Sequence, residues 1–186
     1  MTAAAQTAAQ LASISGAGDE ARLLLREEMP PREFALLLIE HGHFPDAVRF
    51  LAYALPKRES VWWAWVCVRR ASGPEPPPAV KASLAATEKW IAQPTEENRR
   101  AAMQAAETAG LQTAAGCAGL AVFFCGPTLA PPNAPPVPPG AQDSAKAVAG
   151  AVTLAAVAEP EKIAESFRGF LQQGLDVTAR IKLWGA

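Results

Sequence analysis

The sequence predicts an all-α fold, and two features of its composition support that class. Alanine occurs 41 times in the 186 residues, and alanine loses no side-chain entropy when it enters a helix. The β-branched residues valine, isoleucine and threonine together number only 25, and there is a single tyrosine. Because strands draw on β-branched and aromatic side chains, a fold built on sheets is disfavoured.

Apolar residues recur at helical spacing in about eight segments, which short breaks containing proline or glycine separate. The predicted helices cover residues 33–40, 46–55, 57–71, 79–93, 95–109, 113–125, 145–158 and the segment from 160 onward. Short breaks favour antiparallel neighbours. We therefore expect a single-domain irregular bundle or short solenoid-like stack over residues 21–186, with a proline-rich strap at 127–142. Residues 1–20 are predicted to form a flexible leader.

Two of the predicted helices indicate how the bundle packs. The helix over residues 57–71 is apolar around most of its circumference, which is typical of a central helix. The helix over residues 95–109 has a stripe made only of alanines, which lets two helix axes approach closely. On that same helix Glu96 and Arg100 stand four residues apart, in the orientation that suits an ion pair.

Charge and hydropathy argue against two classes of partner. The chain has 17 basic and 18 acidic side chains, so it lacks the basic surplus with which nucleic-acid binders neutralise phosphates. No stretch reaches 18 uninterrupted apolar residues, so membrane insertion is not expected. Three cysteines are too few for a disulfide framework, which favours a reducing compartment and hence the cytoplasm.

The sequence contains no recognisable catalytic or metal-binding motif. It has no glycine-rich phosphate loop, no G-x-S-x-G and no H-E-x-x-H. His41 and His43 lack the further ligands that a metal centre needs. We therefore predict no catalytic residue, no metal and no cofactor. An enzyme that uses Cys67, Cys117 or the two histidines stays open as a weaker hypothesis.

Three tryptophans within four positions form the densest feature of the sequence. Trp62, Trp63 and Trp65 lie at about 0°, 100° and 300° around a helix, so they cannot all point inward. Tryptophan and arginine concentrate binding energy at interfaces. One interpretation is thus a partner-binding surface, and the other is a central helix packed on several sides. The predicted anchor residues are Arg58, Glu59, Trp62, Trp63 and Arg69.

Seven prolines fall within residues 127–139, and residues 108–142 contain no charged side chain. Such a run favours polyproline II, which is ordered before a partner arrives. It either docks to a protein partner or forms a stiff strap across the bundle, with Leu129 and Val137 turned inward. The predicted docking residues are Leu129, Pro131, Pro132, Pro135 and Pro136.

Two long motifs resemble a family of small bacterial proteins of unknown function. They are LPKRESVWWAWVCVR at residues 55–69 and FFCGPTLAPPNAPPVPPGAQDSAKAVAGAVTLAAV at residues 123–157. The resemblance covers most of the chain after about residue 30. It implies genes in type VI secretion or related contractile-injection clusters, among effector-loading and spike components.

The expected function is that of a non-enzymatic protein-interaction module. It would act as an adaptor or accessory chaperone for a protein partner, which the resemblance implies to be a secreted effector or spike component. The alternative is a small-molecule-binding or toxin-neutralising protein whose apolar helices line a pocket.

Overall fold

Residues 6–185, which are the residues that this computed structural model describes, contain ten α-helices and one 3₁₀ turn. The all-α prediction is confirmed, and no strand occurs in that part of the chain. In chain order the helices are α1 (Ala8–Ile14), α2 (Asp19–Arg22), α3 (Pro31–Glu40), α4 (Phe44–Ala54), α5 (Lys57–Ala71), α6 (Pro78–Ala92), α7 (Glu96–Ala109), α8 (Ala114–Phe123), α9 (Asp143–Ala156) and α10 (Ile163–Arg180), with the 3₁₀ turn at Pro160–Lys162.

Prolines and threonines in the breaks between the helices explain where several helices begin. Pro31, Pro45 and Pro78 occupy the first turns of α3, α4 and α6, where a missing N–H is not needed and φ is already helical. Thr95 and Thr113 cap α7 and α8 by accepting hydrogen bonds from the third backbone N–H of each helix. The predicted boundaries therefore lie within two residues of most helix ends.

The flexible leader predicted for residues 1–20 is corrected over the described part of that segment. Residues 8–14 form α1, whose first turn is closed by reciprocal hydrogen bonds between Thr7 and Gln10. Ala8, Leu11 and Ala12 are buried on the bundle, where α1 packs against α3 and α4. One leucine and two small alanines are enough to dock a short capped helix. Residues 1–5 lie outside the described residues.

Helix α5 is central, as its composition predicted, and it packs against α6, α8, α9 and α10. Trp63 is fully buried, and its Nε1 donates a 2.8 Å hydrogen bond to the carbonyl oxygen of Phe170 on α10. The indole has room because Gly174 faces it: a Cβ at that position would lie 2.9 Å from the Trp63 ring. This pairing locks α10 onto the central helix.

Small residues bring α7 and α8 into close contact, as the alanine stripe predicted. Ala102 and Ala106 of α7 are fully buried. Gly119 of α8 lies against them, and a Cβ there would come within 2.7 Å of the Ala106 Cβ. Helix α8 also packs on α9, so these two largely apolar helices bury each other.

Consecutive helices from α5 to α10 alternate in direction, which gathers several connections at one end of the bundle. Arg58 at the start of α5 bonds to Ile91 at the end of α6, and Arg99 in the first turns of α7 bonds to Phe123 at the end of α8. Lys57 lines a small cleft with Gln142, which precedes α9. We call this the loop end of the bundle. Across residues 6–185, none of the helices combines the length and the apolar character that a membrane crossing requires.

Gly119→Ala is expected to lower the free energy of unfolding by about 1–3 kcal/mol, because the added Cβ overpacks a rigid helix contact. It would also lie 2.9 Å from the carbonyl oxygen of Ala102. The loss should appear despite the higher helix propensity of alanine, which favours the variant by about 1 kcal/mol. Urea denaturation measures the change.

Gly150→Ala on α9 is the matched control. A Cβ there meets only the Cys117 Sγ at 3.6 Å, which is ordinary van der Waals contact. This variant should be as stable as the wild type or slightly more stable. Equal stability of the two alanine variants would contradict the close contact between α7 and α8.

Candidate interaction surface

The proline-rich segment forms a closed loop that projects from the loop end of the bundle. Its neck is closed where the Leu129 N–H donates to the Val137 carbonyl oxygen at 2.7 Å. The Thr128 hydroxyl oxygen accepts a second bond from the Val137 N–H at 2.9 Å. We call residues 128–138 the proline loop.

The prediction of a strap that crosses the bundle is therefore wrong. Residues 131–138 are all exposed, and Val137, which was expected to point inward, is 53% exposed. The chain reverses at a turn in which the Ala134 N–H donates to the Pro131 carbonyl oxygen. Asn133 has a φ of 69° at the third position of that turn, the left-handed conformation that a type II turn requires and asparagine tolerates. Leu129 is only half-buried, and the buried residue beside it is Ala130.

A buried arginine holds the base of this loop. Arg99 of α7 is 2% exposed, and its guanidinium donates hydrogen bonds to the carbonyl oxygens of Phe123 and Thr128. It also lies 4.6 Å from the centre of the Phe123 ring. Gly126 leaves space for the Arg99 side chain, because a Cβ at position 126 would lie 2.3 Å from the Arg99 Nε. A single side chain thus fixes both the end of α8 and the start of the loop.

Glu96 and Arg100 complete the anchor, which we define as Glu96, Arg99 and Arg100. The Glu96 carboxylate accepts two 2.7 Å bonds from Arg99 and one from Arg100, which confirms the predicted pair between Glu96 and Arg100. Arg100 in turn donates to the Ala130 carbonyl oxygen at 2.7 Å. The hydrogen bond from Arg99, aided by the charges of both arginines, lowers the pKa of Glu96. No local sequence pattern predicts the bonds to the loop, because their acceptors are backbone carbonyls 24–30 residues away.

The three clustered tryptophans point in three directions, as helical geometry predicted. Trp62 is half-buried and faces outward at the loop end. Trp63 is fully buried, so the prediction that it belongs to a partner-binding surface is wrong; its indole fills the contact with α10 instead. Trp65 is buried against α6, where its Nε1 donates to the Leu84 carbonyl oxygen at 3.0 Å.

The two arginines among the predicted anchor residues, Arg58 and Arg69, lie on different faces. Arg69 lies 5.1 Å from the centre of the Trp65 ring, in a cation–π contact that borders a cleft lined by residues 73–76. Arg58 does not stack on Trp62: its Nε donates to the Ile91 carbonyl oxygen at 2.8 Å. Arg180 of α10 takes that position, 5.2 Å from the centre of the Trp62 ring.

Trp62 forms the floor of a shallow groove of about 270 Å³ between α5, the end of α6 and the end of α10. We call it the Trp62 groove. Arg58 and Glu59, both predicted anchors, lie in it, whereas Trp63 and Arg69 do not. Its lining residues are Arg58, Glu59, Trp62, Ile91, Val177, Arg180 and Ile181. The groove and the proline loop share one end of the bundle, since Lys57 beside Arg58 lines a cleft with Ala141 and Gln142.

The thiols and histidines that the weaker enzyme hypothesis would use lie on different elements of the fold. Burial raises the pKa of Cys67, Cys117 and Cys125 above the ordinary value for a thiol. His41 and His43 flank the turn between α3 and α4. Between residues 6 and 185, the structure gathers no group of three or more histidine, cysteine, aspartate or glutamate residues that could hold a metal ion.

The fold and this surface define an all-α bundle that presents an exposed, anchored loop beside a tryptophan groove. The model of a protein family described as "Family of unknown function (DUF6931)" matches residues 34–178, and the chain belongs to this family. The resemblance to an uncharacterised family is thereby confirmed. The matched region contains the anchor, the proline loop and Trp62. No curated protein and no solved structure matches the chain.

Arg99→Gln is expected to lower the free energy of unfolding by about 3 kcal/mol, because two backbone carbonyls lose charged donors in a buried site. Cleavage of the proline loop by protease should also become faster. Arg100→Gln removes a partly exposed ion pair and a single hydrogen bond to the loop, so its cost should be smaller, about 1 kcal/mol. Denaturant unfolding and timed proteolysis of both variants test this ordering, and equal costs would contradict the role of Arg99.

Glu96→Gln should destabilise the protein near neutral pH and converge with the wild type in acid. The folded-state pKa of Glu96 lies below its ordinary value of 4.5. The ionised carboxylate therefore stabilises the fold above about pH 4.5, and this contribution is lost as the pH falls through the lowered pKa. Denaturation midpoints across this pH range measure the effect. Glu97→Gln removes the same charge from the exposed neighbouring position and should destabilise the protein less than Glu96→Gln near neutral pH.

Proposed function

We propose that this protein is a non-enzymatic interaction module, an adaptor or accessory chaperone that docks a partner protein on the proline loop. One observation carries the proposal: residues 131–138 are exposed throughout, yet the loop is closed at its neck and anchored by a buried arginine. A segment that served only to connect α8 to α9 would need neither the projection nor the anchor.

The rigidity of the loop favours binding for an entropic reason. A proline-rich segment loses little conformational freedom when a partner arrives, so more of the contact energy appears as affinity. The exposed prolines and Val137 offer apolar surface without charge, which suits the aromatic-lined grooves that recognise proline-rich ligands. The predicted docking residues Pro131, Pro132, Pro135 and Pro136 all lie on this exposed part.

The partner class that we propose is a secreted effector or spike component of a type VI or related contractile secretion system. This part of the proposal is supported by the sequence resemblance alone. The cytoplasm is the proposed compartment, since three free thiols suit a reducing environment.

A small-molecule or toxin-neutralising role finds no comparable support. It would need a pocket between the apolar helices, but α8 and α9 pack directly on each other. Ser144 of α9 donates a 3.1 Å hydrogen bond to the Ala121 carbonyl oxygen of α8. The protein-interaction role is therefore the one that we propose.

Affinity purification from the native host should recover a partner with the wild-type protein but not with a Pro135→Ala/Pro136→Ala variant. Both prolines are exposed, so the variant should keep the stability of the wild type and lose only the stiffness and surface of the loop. Quantitative mass spectrometry of the recovered proteins measures the difference, and an effector or spike component is the expected partner.

The chain offers a matched control in its second proline cluster. Pro74 and Pro77 are exposed between α5 and α6, and a Pro74→Ala/Pro77→Ala variant should recover the same partner as the wild type. Recovery of one partner by all three proteins, or of none by the wild type, would argue against docking on the loop.

A further inference from the structure

The Trp62 groove combines an apolar floor with two arginines that are already held in place. Trp62, Ile91 and Ile181 are half-buried and supply the apolar surface. Arg180 is positioned by its contact with the Trp62 ring, and Arg58 by its bond to Ile91. Side chains that are fixed before binding lose less freedom when a ligand arrives.

The positive charge of the groove is not balanced within the described chain. Over residues 6–185, the six ion pairs involve other cations, and neither Arg58 nor Arg180 contacts a carboxylate. Glu59 is the one acidic residue of the lining, against two arginines, so the lining carries a net positive charge. The Arg58 Nε is engaged, which leaves the terminal guanidinium nitrogens available to bind a carboxylate.

We propose that the Trp62 groove binds a short acidic segment of the partner protein, in which an apolar side chain stands next to a carboxylate. The apolar side chain packs on Trp62 and Ile91, and the carboxylate pairs with Arg58 and Arg180. This deepens the proposed function and rests on it, since the groove lies at the same end as the proline loop. The loop supplies uncharged contacts and the groove supplies charge complementarity, which sets orientation and specificity.

Selection from a random heptapeptide display library tests this chemistry on the full chain. The wild type should enrich peptides in which aspartate or glutamate adjoins phenylalanine, leucine or tryptophan. Peptide binding should shift the Trp62 indole N–H resonance, assigned from a Trp62→Phe variant, while the buried Trp63 resonance stays in place. Replacing the carboxylate of a selected peptide by its amide should weaken binding roughly tenfold, as expected for two charge pairs of partial exposure.

An Arg58→Gln/Arg180→Gln variant should bind the selected peptide about as weakly as the wild-type protein binds the amide peptide. Its control is Arg69→Gln/Arg70→Gln, which removes the same charge from the distal part of α5 and should bind selected peptides like the wild type. Thermal denaturation checks that both variants fold. Selection of no peptide, selection of peptides without carboxylates, or unchanged binding by the groove variant would overturn the proposal.

A second copy of the chain is the other occupant that this experiment detects. In that case the Trp62 resonance would shift with protein concentration alone, and the Pro135→Ala/Pro136→Ala variant would abolish the shift. This result would overturn the proposal that an acidic segment of a partner protein occupies the groove. Partner recovery distinguishes the two proposals. If peptide selection fails but recovery of the partner still depends on the proline loop, only the proposal for the groove is contradicted. If selection succeeds but recovery does not depend on the loop, only the proposal of docking on the loop is contradicted.

Discussion

The buried guanidinium of Arg99 is the interaction on which the functional end of this molecule depends. It joins α7, the end of α8 and the neck of the proline loop through hydrogen bonds to Glu96, Phe123 and Thr128. Without it, the backbone after α8 would have carbonyl groups facing a site where water is excluded, and such groups are costly when unpaired. The anchor of the loop therefore belongs to the bundle rather than to the loop itself.

The bundle provides this anchor through close packing of small side chains. Alanine and glycine at the contact of α7 with α8 bring the two backbones together, which places Arg99 within reach of the residues that follow α8. Trp63 serves the opposite purpose, because its large indole fills the space between α5 and α10. The Trp63 indole thus sets the spacing of α5 and α10, the helices that carry Trp62 and Arg180 at the loop end.

The helices were predictable from the sequence, whereas the loop and its anchor were not. Proline starts, threonine caps and apolar spacing are local signals, so the helix bounds from α3 to α9 follow from them. The route of residues 127–139 depends on the Thr128 hydroxyl and on Arg99, which reaches carbonyls distant in sequence, and no local pattern records such contacts. Helical spacing showed that the tryptophans diverge. It could not show that Trp63 is the buried one, because that depends on where α10 packs.

The closed neck of the proline loop also gives residues 131–136 the properties of an exchangeable cassette. The Leu129 N–H and the Val137 carbonyl oxygen meet at hydrogen-bond distance, so the contact that joins the two ends lies outside residues 131–136. The intervening residues contribute nothing to the core, and doubling the length of a loop costs only about 0.6 kcal/mol in closure entropy. Recognition can therefore diversify within this cassette while the helical scaffold remains the same.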